Sequence, residues 1–272
     1  MIIALATLTG ALVGLVLGLT GAGGAVIAVP LLVFVFGLPL IDAAPIALLA
    51  ACAAASFGTV LAWDVKLIRY RAAMLMAATG TLTTWLGIRV AGVLSESALM
   101  LAFSSVLVAV AARMFQQARS QRGGAAQSAA PDHEHALVRL HPTTGRLVWT
   151  TKTKALFSAV GALNGMLSGM LGVGGGFLIV PVLRAMTPLT MHAAIATSLM
   201  TSALTSAVSA GMHIASTGTI DLHIAVPFVA GALAGMTLGR RLAPRIAGPA
   251  LQTGFAATML ACAAVMTARA LY

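Results

Sequence analysis

Gly169 to Pro181 reads GMLGVGGGFLIVP, and Gly18 to Pro30 reads GLTGAGGAVIAVP. At an offset of 151 positions Gly18 meets Gly169, Gly21 meets Gly172, Gly23 and Gly24 meet Gly174 and Gly175, and Pro30 meets Pro181. Both stretches interrupt long apolar runs. Glycine costs about 1 kcal/mol relative to alanine inside a helix and readily takes positive φ. Clusters of this density are therefore expected to break the helix they fall in. In a bilayer the freed backbone groups of such a break survive only in a protein-lined cavity.

The rest of the composition places the chain in lipid. Of its 272 residues 60% are hydrophobic and 8% charged, and mean hydropathy is +1.00. An ordinary soluble domain is about 25% charged. The apolar runs are continuous rather than alternating, which excludes a membrane β-barrel. The expected fold is an all-α polytopic membrane protein. A net charge of +10 would suggest nucleic acid for a soluble chain; here it asks which side of the membrane holds the charge, and no nucleic-acid partner is expected. Cys52 and Cys262 lie mid-run and read as small core residues, not as disulfide or metal ligands. The first basic residue is Lys66, so the start lacks the positive region of a signal peptide. Residues 2–17 also have a counterpart at 153–168, so the N-terminus is expected to be mature protein.

Apolar segments run from Ile2 to Leu17, Ala25 to Phe36, Ala44 to Trp63, Ala72 to Ala91 and Ser97 to Met114. Residues 116–153 are polar and basic. Their later part alternates around His141-Pro-Thr-Thr-Gly145, which suggests a β-hairpin over 136–150 with disorder as the alternative. The plan then repeats with Ala155 to Ser168, Gly176 to Ala185, Ala193 to Ile214, Ile224 to Leu242 and Pro249 to Ala268. Gly87-x-Arg89 corresponds to Gly239-x-Arg241. The domains are thus 1–115, a first membrane repeat; 116–153, a basic cytoplasmic linker; and 154–272, a second membrane repeat.

Five segments per half is an odd number, so the halves should have inverted topologies. The distribution of basic residues agrees. With the loop 64–71 in the cytoplasm, alternation also places 113–154, 184–191 and 240–248 there. Those regions hold 14 of the 16 Lys and Arg, leaving Arg89 and Arg269 outside. Both termini would then face the periplasm or exterior. Inverted repeats with paired broken helices mark transporters whose site lies near the midplane.

The chemistry expected there is anion binding. A short helix opening at Gly24 or Gly175 presents unpaired N–H groups and a positive dipole end. The candidate site comprises Thr20, Gly21, Gly23 and Gly24 from the first break, and Gly172, Gly174, Gly175 and Gly176 from the second. Hydroxyls of Thr197, Ser198, Thr201 and Ser202 join them. Thr197 and Thr201 share one helix face and Ser198 and Ser202 another; Thr205, Ser206 and Ser209 extend the polar character. Against this stand packing roles for glycine and backbone-bonded hydroxyls. Arg89 and Arg241 are expected at the membrane interface. His133, Glu134 and His135 fall in the linker and read as solvated residues, so no metal or cofactor is expected. No Asp or Glu lies centrally in a span, which leaves a carboxylate proton relay without a carrier.

GLTGAGG-x5-P and GMLGVGGG-x4-P, the latter followed by Ala196-Thr197-Ser198-Leu199, together with Gly87-Ile88-Arg89-Val90-Ala91 and Gly239-Arg240-Arg241-Leu242-Ala243, resemble the sulfite exporter TauE/SafE family. The resemblance implies export of sulfite, a sulfonate such as sulfoacetate, or a related organic anion across the cell inner membrane. Its partners would be that anion, lipid and, as a homodimer, a second copy of the chain. Leu48-Leu49 stands where the second half has Thr197-Ser198, so any polar pocket is expected to be asymmetric. A non-transporting scaffold and an intramembrane enzyme are the competing classes. The enzyme is disfavoured because Gly165-Met-Leu-Ser-Gly169 lacks the G-x-S-x-G spacing.

Overall fold

The computed structural model describes residues 2–21, 24–63, 68–122, 149–187, 189–217, 220–242 and 248–271. They form α1 (Ile2–Thr20), α2 (Gly24–Phe36), α3 (Leu40–Trp63), α4 (Tyr70–Val93), α5 (Glu96–Arg122), α6 (Thr151–Leu171), α7 (Gly176–Met186), α8 (Met191–Thr217), α9 (Leu222–Leu242) and α10 (Gly248–Leu271). Among the described residues there is no strand. Apart from Trp149 and Thr150, the expected hairpin over 136–150 lies outside them, as do Gly23 and the cluster 133–135. Helix α5 continues past the apolar run to Arg122, and α6 begins at Thr151, where the Thr150 hydroxyl caps it by accepting from the Thr153 N–H at 3.2 Å. Among the described residues five helices contain stretches long and apolar enough to cross a bilayer: Ile2–Thr20, Leu40–Ala62, Glu96–Arg113, His192–Ser216 and Leu222–Leu242. Helices α2 and α7 are shorter, at 13 and 11 residues. Pro30 and Pro181 sit inside them and do not end them.

Packing follows a rule of interchange. The strongest pairings are α1 with α9, α4 with α6, α5 with α10 and α3 with α8. Exchanging each helix for its repeat mate, α1 for α6 through α5 for α10, maps this set onto itself. The weaker pairings obey it too: α3 with α9 maps to α8 with α4, and α2 with α10 to α7 with α5.

Glycine stripes make these contacts close. On α1, Gly10, Gly14 and Gly18 lie against Phe228, Ala232 and Met236 of α9. On α6, Gly161, Gly165 and Gly169 lie against Met76, Gly80 and Thr84 of α4. A Cβ at any of these six positions would fall inside the partner helix's backbone. Where lipid is as apolar as the side chains, close backbone approach of this kind is what holds helices together. Each contact of the first set is the second set's mate at an offset of 151 or 152 positions. Further contacts give the directions. A Cβ on Gly80 of α4 would sit 3.1 Å from Thr205 Cγ2 of α8, and the Thr84 hydroxyl is 3.4 Å from that of Ser209. On α3, Gly58 lies against Leu199.

Candidate functional site

Each helix break is a glycine turn packed between the first helix of its own half and the third helix of the other. In the second half Gly172, Gly174 and Gly175 all take positive φ, near +65 to +70°, a conformation that side-chain-bearing residues rarely adopt. Gly172 closes α6, its N–H bonding the Ser168 carbonyl at 2.9 Å, and Gly175 opens α7. Gly175 rests on the side chain of Asn164, and Gly172 on Ala44 of α3. In the first half Gly21 has φ +74° and rests on Ile195 of α8, while Gly24 rests on Val13 and Leu17. These contacts are mates as well: Ala44 matches Ile195, and Val13 matches Asn164, both at 151 positions. Helices α2 and α7 touch, so the two breaks belong to one region.

The same offset corrects one equivalence read from the sequence. Thr197 and Ser198 have Ile46 and Ala47 as structural mates, not Leu48-Leu49. A short loop-to-helix motif aligned by eye allows a two-residue slip, whereas the Gly172–Ala44 and Gly21–Ile195 contacts do not. The expected asymmetry is deeper than that pair suggests. In the second half Asn164, Ser168, Thr197, Ser198, Thr201, Ser202, Thr205, Ser206 and Ser209 are all buried. Their first-half counterparts are Val13, Leu17, Ile46, Ala47, Ala50, Ala51, Ala54, Ala55 and Gly58.

The hydroxyls fall into two groups. Thr197, Thr201 and Thr205 each donate to the carbonyl four residues back, at 2.7, 2.9 and 2.9 Å, and Thr20 does the same to Val16 at 2.8 Å. Thr197 also accepts from the Arg69 N–H at 3.1 Å, tying the start of α4 to α8. The serine face of α8 points elsewhere. Ser198 donates to the Gly176 carbonyl at 3.1 Å, in the first residue of α7. Ser209 lies 3.0 Å from the Ser168 hydroxyl of α6, and His213 Nε2 is 2.9 Å from the Gly169 carbonyl. Between these anchors Ser202 and Ser206 have no hydrogen-bond partner, and neither end of the Asn164 amide has one. Buried polar groups left unsatisfied cost about 1–3 kcal/mol each, so this concentration needs a reason.

Of the residues expected at the site, Gly174, Gly175 and Gly176 form the start of α7 and Ser198 bonds its first carbonyl, while Ser202 lies buried one turn further along α8. Gly172 ends α6 against Ala44 of α3, and Thr197 and Thr201 bond backbone carbonyls of their own helix. Gly21 and Gly24 sit in an apolar surround, Thr20 bonds its own helix, and Gly23 is outside the described residues. Arg89 stacks its guanidinium 4.7 Å from the Trp85 ring on an exposed surface, and Arg241 is exposed. Arg240, half-buried, reaches inward and donates to the Gly58 carbonyl. Asn164 was missed; a lone amide in an otherwise apolar run, facing Val13 in the other repeat, was the signal available for it. No group of three or more His, Cys, Asp or Glu able to hold a metal occurs among the described residues.

Comparison with known proteins bears on what this arrangement serves. The model of the family described as sulfite exporter TauE/SafE matches residues 6–266. A probable membrane transporter protein of Xylella fastidiosa strain 9a5c is 32% identical over 238 residues, covering 87% of this chain and 83% of its own. Its counterpart from strain Temecula1 is 32% identical over 240 residues, covering 88% and 84%. No solved structure matches.

Proposed function

The chain belongs to the sulfite exporter TauE/SafE family and is a multi-pass membrane transporter, and from this premise we propose that it exports a small sulfur-containing anion, sulfite or a sulfonate such as sulfoacetate. The anion binds near the midplane at the second helix break. The carrying observation is the left-handed Gly174–Gly175 pair that opens α7 beside buried polar groups the protein leaves unpaired. The first N–H groups of α7 and its positive dipole end draw a negative charge there without a buried lysine or arginine. The first break, whose Gly21 and Gly24 rest on apolar residues, forms the opposing wall.

The repeats are inverted in the membrane, with the linker 116–153 cytoplasmic and both termini on the far side of the cell inner membrane. Two contacts support this. Helix α8 runs alongside α4 in the same sense, pairing Thr205 with Gly80 and Ser209 with Thr84. Its mate α3 meets it in the opposite sense, since Gly58 packs on Leu199 rather than near Ser209. With the cell interior negative, anion exit gains about 2.3 kcal/mol per charge per 100 mV, enough to drive export without a coupling ion.

Proteoliposomes loaded in turn with sulfite, sulfoacetate, sulfate and a carboxylate test the reading. Protein-dependent efflux of sulfite or sulfoacetate that rises with an imposed potential is expected. Efflux no faster than from protein-free liposomes for all four would overturn it in favour of a scaffold role.

A further inference from the structure

We infer that Asn164, Ser202 and Ser206 form a ligand-recognition site, suited to an oxyanion head carrying one negative charge; this deepens the transport reading above and rests on it. Asn164 and Ser206 are fully buried and Ser202 is 5% exposed. All their side-chain polar atoms lack partners within the protein. Helices α6 and α8 run together at this level, since Ser168 meets Ser209 and Gly169 meets His213. One turn earlier the same register sets Asn164 beside the stretch from Ser202 to Ser206. Ser202 and Ser206 are four residues apart on one face, with Cβ atoms about 6 Å apart, a span that one tetrahedral oxyanion bridges. On the other side Asn164 touches Gly175, the residue that opens α7.

The fold does not require these groups. Their mates Val13, Ala51 and Ala55 are all apolar and carry the same packing in the first half. The groups themselves specify the ligand. The Asn164 amide supplies two donors and an acceptor, and each serine supplies a hydroxyl donor. All are neutral. The start of α7 contributes about half an elementary charge, which balances a monoanion far better than a dianion, whose desolvation cost grows with the square of its charge.

Purified full-length protein tests this by thermal unfolding with hydrogensulfite, methanesulfonate and sulfate at matched ionic strength, alongside liposome efflux. Wild type is expected to melt higher with the two monoanions and much less so with sulfate. Asn164→Val, which copies the first half, and the double variant Ser202→Ala/Ser206→Ala are each expected to melt above wild type without ligand. Both should bind methanesulfonate about tenfold more weakly or worse, as loss of hydrogen bonds to a charged group predicts. Wild-type affinity and efflux in Asn164→Val would overturn the site while leaving transport standing. Sulfate bound as tightly as methanesulfonate, or an Asn164→Val protein that melts below wild type, would also overturn it. If wild type neither responds to any anion nor moves one, the transport reading fails first.

Discussion

Around Gly175 and along α8 the protein buries an asparagine, five serines and three threonines; at the matching positions of the first half stand valine, leucine, isoleucine, alanines and a glycine. The helices, glycine stripes and breaks are otherwise shared. The pair therefore separates two kinds of requirement. What both halves keep, above all the glycines of α1 and α6, serves assembly. What the second half has and leaves unpaired, at Asn164, Ser202 and Ser206, stands at a cost in stability, and the proposed site accounts for that cost. On the proposed reading, a break in lipid is sustained by packing in one half and is equipped to hold an anion in the other.

The comparison can be broken where the halves are alike. Gly14→Leu and Gly165→Leu insert a side chain into the backbone of α9 and α4 respectively. Overpacking at such a contact costs about 3 kcal/mol or more. Both variants should fail to give a monodisperse peak in size-exclusion chromatography, and to the same degree. A strong effect in one half alone would end the idea of a shared scaffold.

Where the halves differ, the effects should part. Gly175→Ala places a Cβ on Asn164 and at φ +64°. Efflux should fall about a hundredfold, the scale expected when a binding group moves by about an ångström. Adding Asn164→Ala should restore folding but not efflux; restored efflux would mean that the break, without the amide, suffices. Ser202→Ala should raise thermal stability by about 1 kcal/mol, because it removes an unpaired buried hydroxyl, and Ala51→Ser should lower it by about as much. Equal signs in calorimetry would refute the contrast between the two faces. The smallest effect belongs to Thr201→Val. Its hydroxyl is already bound to the Thr197 carbonyl, so stability should change by under about 1 kcal/mol and efflux should stay close to wild type.

Much of this architecture was legible in the residues. The duplicated glycine stretch and the apolar runs located the ten helices of the described residues to within a few residues, except where α5 continues past its apolar run to Arg122, because composition that suits lipid for a helix's length leaves little choice of structure. The breaks were legible because glycines clustered in this way cannot extend a helix. The site was legible in part. Serine and threonine in α8 stood out, but a one-dimensional string does not say which hydroxyls bond their own backbone. That division depends on rotamer and on which neighbour lies opposite. Asn164 was invisible as a site residue for a related reason: only the fold of α7 back onto α6 brings Gly175 against it, eleven positions later. The stripes Gly10-Gly14-Gly18 and Gly161-Gly165-Gly169 were present as a four-residue period, yet their partners on α9 and α4 are distant in sequence. The slip between Leu48-Leu49 and Ile46-Ala47 has the same origin, since only a pair of mated contacts pins the register.

The central claim is that one break, the second, holds the anion. Diffraction from crystals soaked in selenite, an anomalously scattering relative of sulfite, addresses it without a variant. One selenium peak per chain is expected, within hydrogen-bonding distance of Asn164 and Ser202 and facing the start of α7. A peak beside Val13 and Gly24 instead, or two peaks of equal height in the two halves, would contradict the account.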